Sequence, residues 1–239
     1  MTAQNKLQVE GLVAAVTDFA SSRGPNNCAE VEDHCKLLLY WLKYLQSYQL
    51  TGTADELLAA VAPSLREVAA TLSLGIIRPA LFALRSQIDL VLTWLYFKDH
   101  PIEWDYVNAT GEGFKMKKEI TSYLATHNDA YGTRFGILKG IAKRTSEEPY
   151  HFLSAHIHGQ SIAVLSNTGD LKDIVRSQSE CNECVKAVYE VAEYLNDVLL
   201  SVYANSWASL PIEIQQAVSS RFVTPEQRAT FSSANKSHK

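Results

Sequence analysis

The stretch Ile76–His100, IIRPALFALRSQIDLVLTWLYFKDH, decides the fold class. It is apolar around almost its whole circumference and far too long for one strand, so it reads as a helix packed among other helices. The helix is expected to start near Ile77 or Pro79. It should stop before Pro101, because the residue ahead of a proline avoids the α region. At about 100° per residue, Arg78, Arg85, Asp89, Thr93, Tyr96 and His100 share one strip about 80° wide. Arg85 and Asp89 are four apart and can pair along the helix. Charges carried into an interior are costly unless paired or used, so the strip reads as the lining of a groove or interface. The competing reading is an ion pair that only fixes helix packing.

Outward from this stretch the pattern stays helical. An amphipathic segment at residues 1–22 is followed by a breaker-rich loop, Ser21 to Asn27, and a second helix from about Ala29 to Tyr48. Thr53-Ala54-Asp55-Glu56 reads as a capping box for a third helix, with an interruption expected at Pro63. Further helices are expected from Lys115 to Thr126, from Arg134 to Arg144, and after Pro149, where acids and a proline open the first turn. A long last helix should begin between Leu171 and Ser179 and end at Tyr203. Its apolar side carries Val185, Val188, Val191, Leu195 and Val198. Pro211 and Pro225 each open a short segment, and the tail from Ser232 reads as disordered. No repeat or hairpin pattern appears. The expectation is an all-α helical bundle of roughly six to nine helices. Residues 1–75 would pack on a core of 76–205, with 206–239 forming a short C-terminal helix and the tail.

Composition narrows the functional classes. With 239 residues and 46% hydrophobic residues the chain can bury a sizeable core. A net charge of −4 and a pI near 6.0 exclude a globally basic nucleic-acid binder. No run reaches the ~18 uninterrupted apolar residues of a membrane span, since Arg78, Arg85, Gln87 and Asp89 break the longest one. The N-terminal residues lack a signal-peptide core, so the expected location is cytoplasmic, without membrane partners and with reduced thiols. Cys28, Cys35, Cys181 and Cys184, with His34, leave a zinc site open, but both cysteine pairs fall in helical sequence without turn glycines. Small buried thiols are the plainer reading. No cofactor motif is present.

A second polar constellation lies at residues 150–161. On a helix, His151, Ser154, His158 and Ser161 share one face, while His156 points away. Histidine moves protons near neutral pH and arginine stabilises developing negative charge. If this face met the Arg85/Asp89 strip, the two would form a polar pocket in a bundle. A metal site from His151, His158 and Asp89 is not expected, because histidines two turns apart are separated by about 10 Å.

Two stretches carry a resemblance: Leu84-Arg85-Ser86-Gln87-Ile88-Asp89 leading to Tyr96–Pro101, and Tyr150-His151-Phe152-Leu153-Ser154-Ala155-His156-Ile157-His158-Gly159. Over residues 76–203 the chain resembles the HEPN superfamily of helical proteins. The family signature, an arginine and a histidine with four to six residues between them, is matched by Arg144 and His151, with six between. The resemblance implies a homodimeric bundle, and in many members a metal-independent endoribonuclease of bacterial defence or toxin–antitoxin systems. His151 or His158 would then take the proton of a ribose 2′-hydroxyl, and Arg144 or Arg85, beside Asp89, would face the charged phosphorus centre. The product would be a 2′,3′-cyclic phosphate. RNA would be held by Lys115, Lys117, Lys118, Lys139 and Lys143, since the net charge repels it. Other members have lost activity, which implies the alternative: an inactive helical dimer acting as an adaptor or ligand-binding module, with a protein partner from the same operon. A small-ligand pocket lined by Arg78, Arg85, Tyr96 and His158 is a third reading.

Overall fold

The computed structural model describes residues 3–128, 130–160 and 169–234. Helix makes up 80% of it, and no strand forms among the described residues. Eleven α-helices are present among the described residues, above the six to nine expected, because the segment after Pro101 forms a helix of its own and the C-terminal part carries two helices rather than one. In chain order they are α1 (Ala3–Ser22), α2 (Gly24–Tyr48), α3 (Asp55–Ser73), α4 (Ile77–Phe97), α5 (Pro101–Thr110) and α6 (Lys117–His127). There follow α7 (Tyr131–Gly140), α8 (Pro149–His158), α9 (Gln178–Tyr203), α10 (Ile212–Ser219) and α11 (Pro225–Ser233).

The chain forms two compact units. The first comprises Met1–Lys36, Pro63–Gln87 and Glu148–Val191; the second comprises Leu37–Ala62, Ile88–Glu147 and Ala192–Lys239. In the first, Phe19, Val31, Val68, Leu72, Leu84, Leu153, Cys181 and Val188 are buried. The expected loop at 21–27 shrinks to a break at Arg23. Pro25 falls in the first turn of α2, where its missing N–H costs nothing. Asn27, fully buried, donates to Leu72 O (3.1 Å) and accepts from Gln178 Nε2 (2.8 Å), so it ties α2 to α3 and α9. Gly75 sits at φ +74° where a Cβ would press on Val175 and Phe19, so only glycine fits there.

In the second unit the core is formed by Leu38, Trp41, Leu58, Ile88, Trp94, Phe97, Leu138, Leu195, Ile214 and Phe231. The α3 cap differs from the expected box. Asp55, not Thr53, accepts the Gly52 N–H (2.7 Å), and Glu56 accepts from the Trp104 indole (3.2 Å). Pro63 stays inside α3 without ending it, on its exposed side, where the carbonyl it leaves unpaired can turn to water.

Every residue of α4 from Val91 to Phe97 is buried, so all its faces are covered there. By length and composition α4 is apolar enough to cross a membrane, yet 72% of its most apolar window is buried against the rest of the protein, as in a core helix. Burial runs further in α9, unbroken from Glu190 to Ser201. Its polar side is therefore interior as well as its apolar side, and Glu190, Glu193, Asn196 and Asp197 are all buried.

Candidate functional site

The polar interior of α9 organises a charge cluster in the second unit. Arg144 follows α7 in an extended segment, and its side chain is 0% exposed. Its Nη1 donates to Asp197 Oδ2 and lies 3.8 Å from Glu193 Oε2. The Glu193 carboxylate also accepts the backbone N–H groups of Lys143 (2.9 Å) and Arg144 (2.6 Å), which docks the whole segment on α9. Arg221, just after α10, closes the cluster from the other side. Its Nη1 donates to Asp197 Oδ1 (2.6 Å) and its Nη2 to Asp197 Oδ2 (3.2 Å). Arg221 also donates to the carbonyls of Leu138 (2.8 Å) and Ile141 (3.3 Å). Those carbonyls lie at the C-terminal end of α7, where a cation is favoured. Asn196 donates to Asp197 and accepts from Trp41 Nε1 (2.9 Å), which extends the network to α2. Two arginines thus face two carboxylates, and Arg144 Nη2 is a buried atom of the cluster with no hydrogen-bond partner among the described residues.

Arg134 on α7 is a third buried arginine, 2% exposed. It donates to Asn205 Oδ1 (2.6 Å) and Phe231 O (3.3 Å) but pairs with no carboxylate among the described residues, and burial lowers its pKa.

The first unit brings part of the α4 strip against α8. α8 starts with Pro149, as expected, and stops at Gly159 in the left-handed region (φ +57°), earlier than the expected helical face through Ser161. The α8 residues that meet Arg85 are Tyr150 and Ser154. The guanidinium lies 3.5 Å from the Tyr150 ring centroid, and Nε donates to Ser154 Oγ (3.1 Å). Burial lowers the Arg85 pKa. His156, half-buried, is held below the usual histidine range first by burial and then by Arg78, so its imidazole is neutral near pH 7. Around it Phe152 packs edge-on at 4.7 Å, and Arg78 lies over Phe82 at 5.6 Å.

His151 is 78% exposed and pairs with Glu148 at 3.2 Å. His158 is exposed in the last turn of α8, Asp89 is exposed on the part of α4 that belongs to the second unit, and Ser161 lies outside the described residues. Of the lysines, Lys115 bonds Glu103 (3.0 Å), which holds that carboxyl below its ordinary range, and Lys139 pairs with Glu147. The Lys117 ammonium lies 5.3 Å from the Tyr194 ring, while Lys118 and Lys143 are exposed.

Cys35, Cys181 and Cys184 are buried free thiols whose pKa values burial pushes up to about 11, 11 and 12, the opposite of an activated nucleophile. Cys28 is exposed. Among the described residues no three His, Cys, Asp or Glu side chains are grouped to hold a metal ion.

Glu193, Asp197 and Arg221 are the residues that sequence reading missed. One signal was available: Glu190, Glu193 and Asp197 share a face of α9, and no basic residue follows Lys186 on that helix, so their counter-charges must come from elsewhere. Comparison of the chain with protein-family models, with curated proteins and with solved structures found no match.

Proposed function

We propose that the chain is a HEPN-like helical module that binds without cutting RNA, an adaptor or ligand-binding protein of a cytoplasmic bacterial defence system. One observation carries this reading: the Arg144 side chain is sealed from solvent against Asp197 and Glu193. A metal-independent ribonuclease needs a guanidinium on the scissile phosphate and a histidine within hydrogen-bond reach of the 2′-hydroxyl. A guanidinium with 0% exposure meets no phosphate. The other candidate, Arg85, is taken up by Tyr150 and Ser154, and two of the five lysines are spent on carboxylates. What stays accessible is the α4–α8 face with Arg78, Phe82, Phe152 and His156, a cationic and aromatic surface suited to an anionic group on its ligand.

The test is to incubate the purified protein at micromolar concentration with end-labelled RNA in the presence of a chelator. Intact RNA, equally with wild type, Arg85→Ala and His158→Ala, is the expected result. Products ending in 2′,3′-cyclic phosphate that either variant abolishes would overturn the reading and restore the ribonuclease one.

A further inference from the structure

The buried guanidinium of Arg134 on α7 has only neutral partners. Its Nη2 donates to Asn205 Oδ1 (2.6 Å) and its Nε to Phe231 O (3.3 Å), while Nη1 is buried with no hydrogen-bond partner among the described residues. Arg144 and Arg221, buried in the same unit, each meet the Asp197 carboxylate. A cation taken out of water with only neutral acceptors is costly, and a guanidinium does not escape the cost by losing its proton. The group also lies close to solvent, because its acceptor Asn205 is exposed.

Helix α11 closes this place. Of its residues only Phe231 is buried. The Phe231 ring centroid is 5.7 Å from the Arg134 guanidinium, 5.4 Å from the ring of Phe222 and 6.4 Å from that of Trp207. A helix this short is marginal by itself, so α11 depends on that anchor. Phe231 thus offers the pocket two groups: a phenyl ring among aromatic neighbours and, two carbons away, a carbonyl oxygen on the guanidinium. 3-Phenylpropionate has the same frame, with a carboxylate at the end of the two-carbon arm. It keeps the ring contacts and gives the guanidinium an anion in place of a neutral acceptor, which is the stronger bond for arginine.

We propose that the pocket under α11 binds a small aryl carboxylate, with Arg134 holding the carboxylate, Phe222 and Trp207 beside the ring, and Phe231 as the tethered occupant that the ligand displaces. Displacing Phe231 removes the anchor of α11, so binding and release of this helix are coupled. The inference is independent of what the α4–α8 face binds.

The test titrates the full chain with 3-phenylpropionate at constant ionic strength, with 3-phenyl-1-propanol as a neutral probe of similar shape. Binding is read by calorimetry, and release of α11 by trypsin cleavage after Arg228, which is exposed but held in the helix while α11 is docked. The acid should bind at millimolar concentration, because the tethered ring competes with it, and should speed cleavage after Arg228 several-fold. Phe231→Ala removes the competitor and should tighten binding at least tenfold. Arg134→Met should abolish binding, and the alcohol should bind at least tenfold more weakly than the acid. If Phe231→Ala fails to fold, acid against alcohol on the wild type and on Arg134→Met still decides. No saturable binding to the wild type overturns the inference. Equal binding of acid and alcohol does so too, as does binding that survives Arg134→Met or leaves cleavage after Arg228 unchanged.

Discussion

Asp197→Asn is the substitution that most directly probes what the buried cluster does. Asp197 is fully buried and accepts from both Arg144 and Arg221, while Glu193 lies 3.8 Å and 3.6 Å from the same two guanidiniums. The four side chains carry no net charge together, so replacing the aspartate leaves one buried positive charge uncompensated. At an effective dielectric near 20, a unit charge pair 4 Å apart is worth about 4 kcal/mol, part of which Glu193 retains. Breaking a buried pair in this way typically costs about 3–5 kcal/mol. For a chain of this size that corresponds to a fall of roughly 6–20 °C in thermal midpoint. Arg144→Met should cost a similar amount with the opposite uncompensated charge. Combined, the two substitutions leave Arg221 facing Glu193 as a neutral pair, so the double variant should be at least about 1 kcal/mol more stable than the sum of the singles. Urea and thermal unfolding followed by far-ultraviolet circular dichroism read all three. A loss under about 1 kcal/mol for Asp197→Asn, or strict additivity of the pair, would refute the reasoning.

Other outcomes follow from the same contacts. Of the four thiols only Cys28 should react quickly with a thiol reagent at pH 8 in the native protein, with the other three reacting on unfolding; mass spectrometry after labelling reads this. Because Cys35, Cys181 and Cys184 have native pKa values raised to about 11, 11 and 12, the unfolded chain loses those protons first. Stability should therefore fall as pH rises from about 9 towards 11, measurable by urea midpoints across that range. Arg134→Met should cost clearly less than Arg144→Met in urea unfolding, since no carboxylate is stranded when this arginine is removed. Asn27→Leu should lose about 1–3 kcal/mol by the same assay, as it removes two hydrogen bonds between helices, while the Leu72 carbonyl keeps the Gly75 N–H and the Gln178 amide keeps Asn182.

What the sequence revealed depended on how local the cause was. α4 was legible because an all-round apolar surface has one explanation in a folded chain, and the start of α8 because Pro149 suits a first turn; its end at Gly159 was not read, since Ser161 was expected on the same helix. The start of α2 was misread because Gly24, Pro25 and Asn26 are breakers in isolation. Asn27 reads as a loop residue until Leu72 and Gln178 are known to stand beside it. Both arginine environments were hidden for the same reason. Arg85 finds Ser154 69 residues away, and Arg144 finds Asp197 53 residues away, whereas helical periodicity reports only on neighbours within a turn or two. The polar side of α9 gave no sign of being interior, because amphipathicity separates two sides of a helix without saying that one of them is outside.

The account turns on whether Arg144 is sealed in its ion-pair cluster, and the exchange of its guanidinium protons measures that directly. In nuclear magnetic resonance spectra of the native protein, the Arg144 Nε and Nη protons should exchange slowly with water and show hindered rotation about Cζ. Arg78, exposed on α4, serves as the internal reference and should exchange at the solvent rate. Arg144 protons exchanging as fast as those of Arg78 would contradict the account and return that arginine to the candidates for contact with a phosphate.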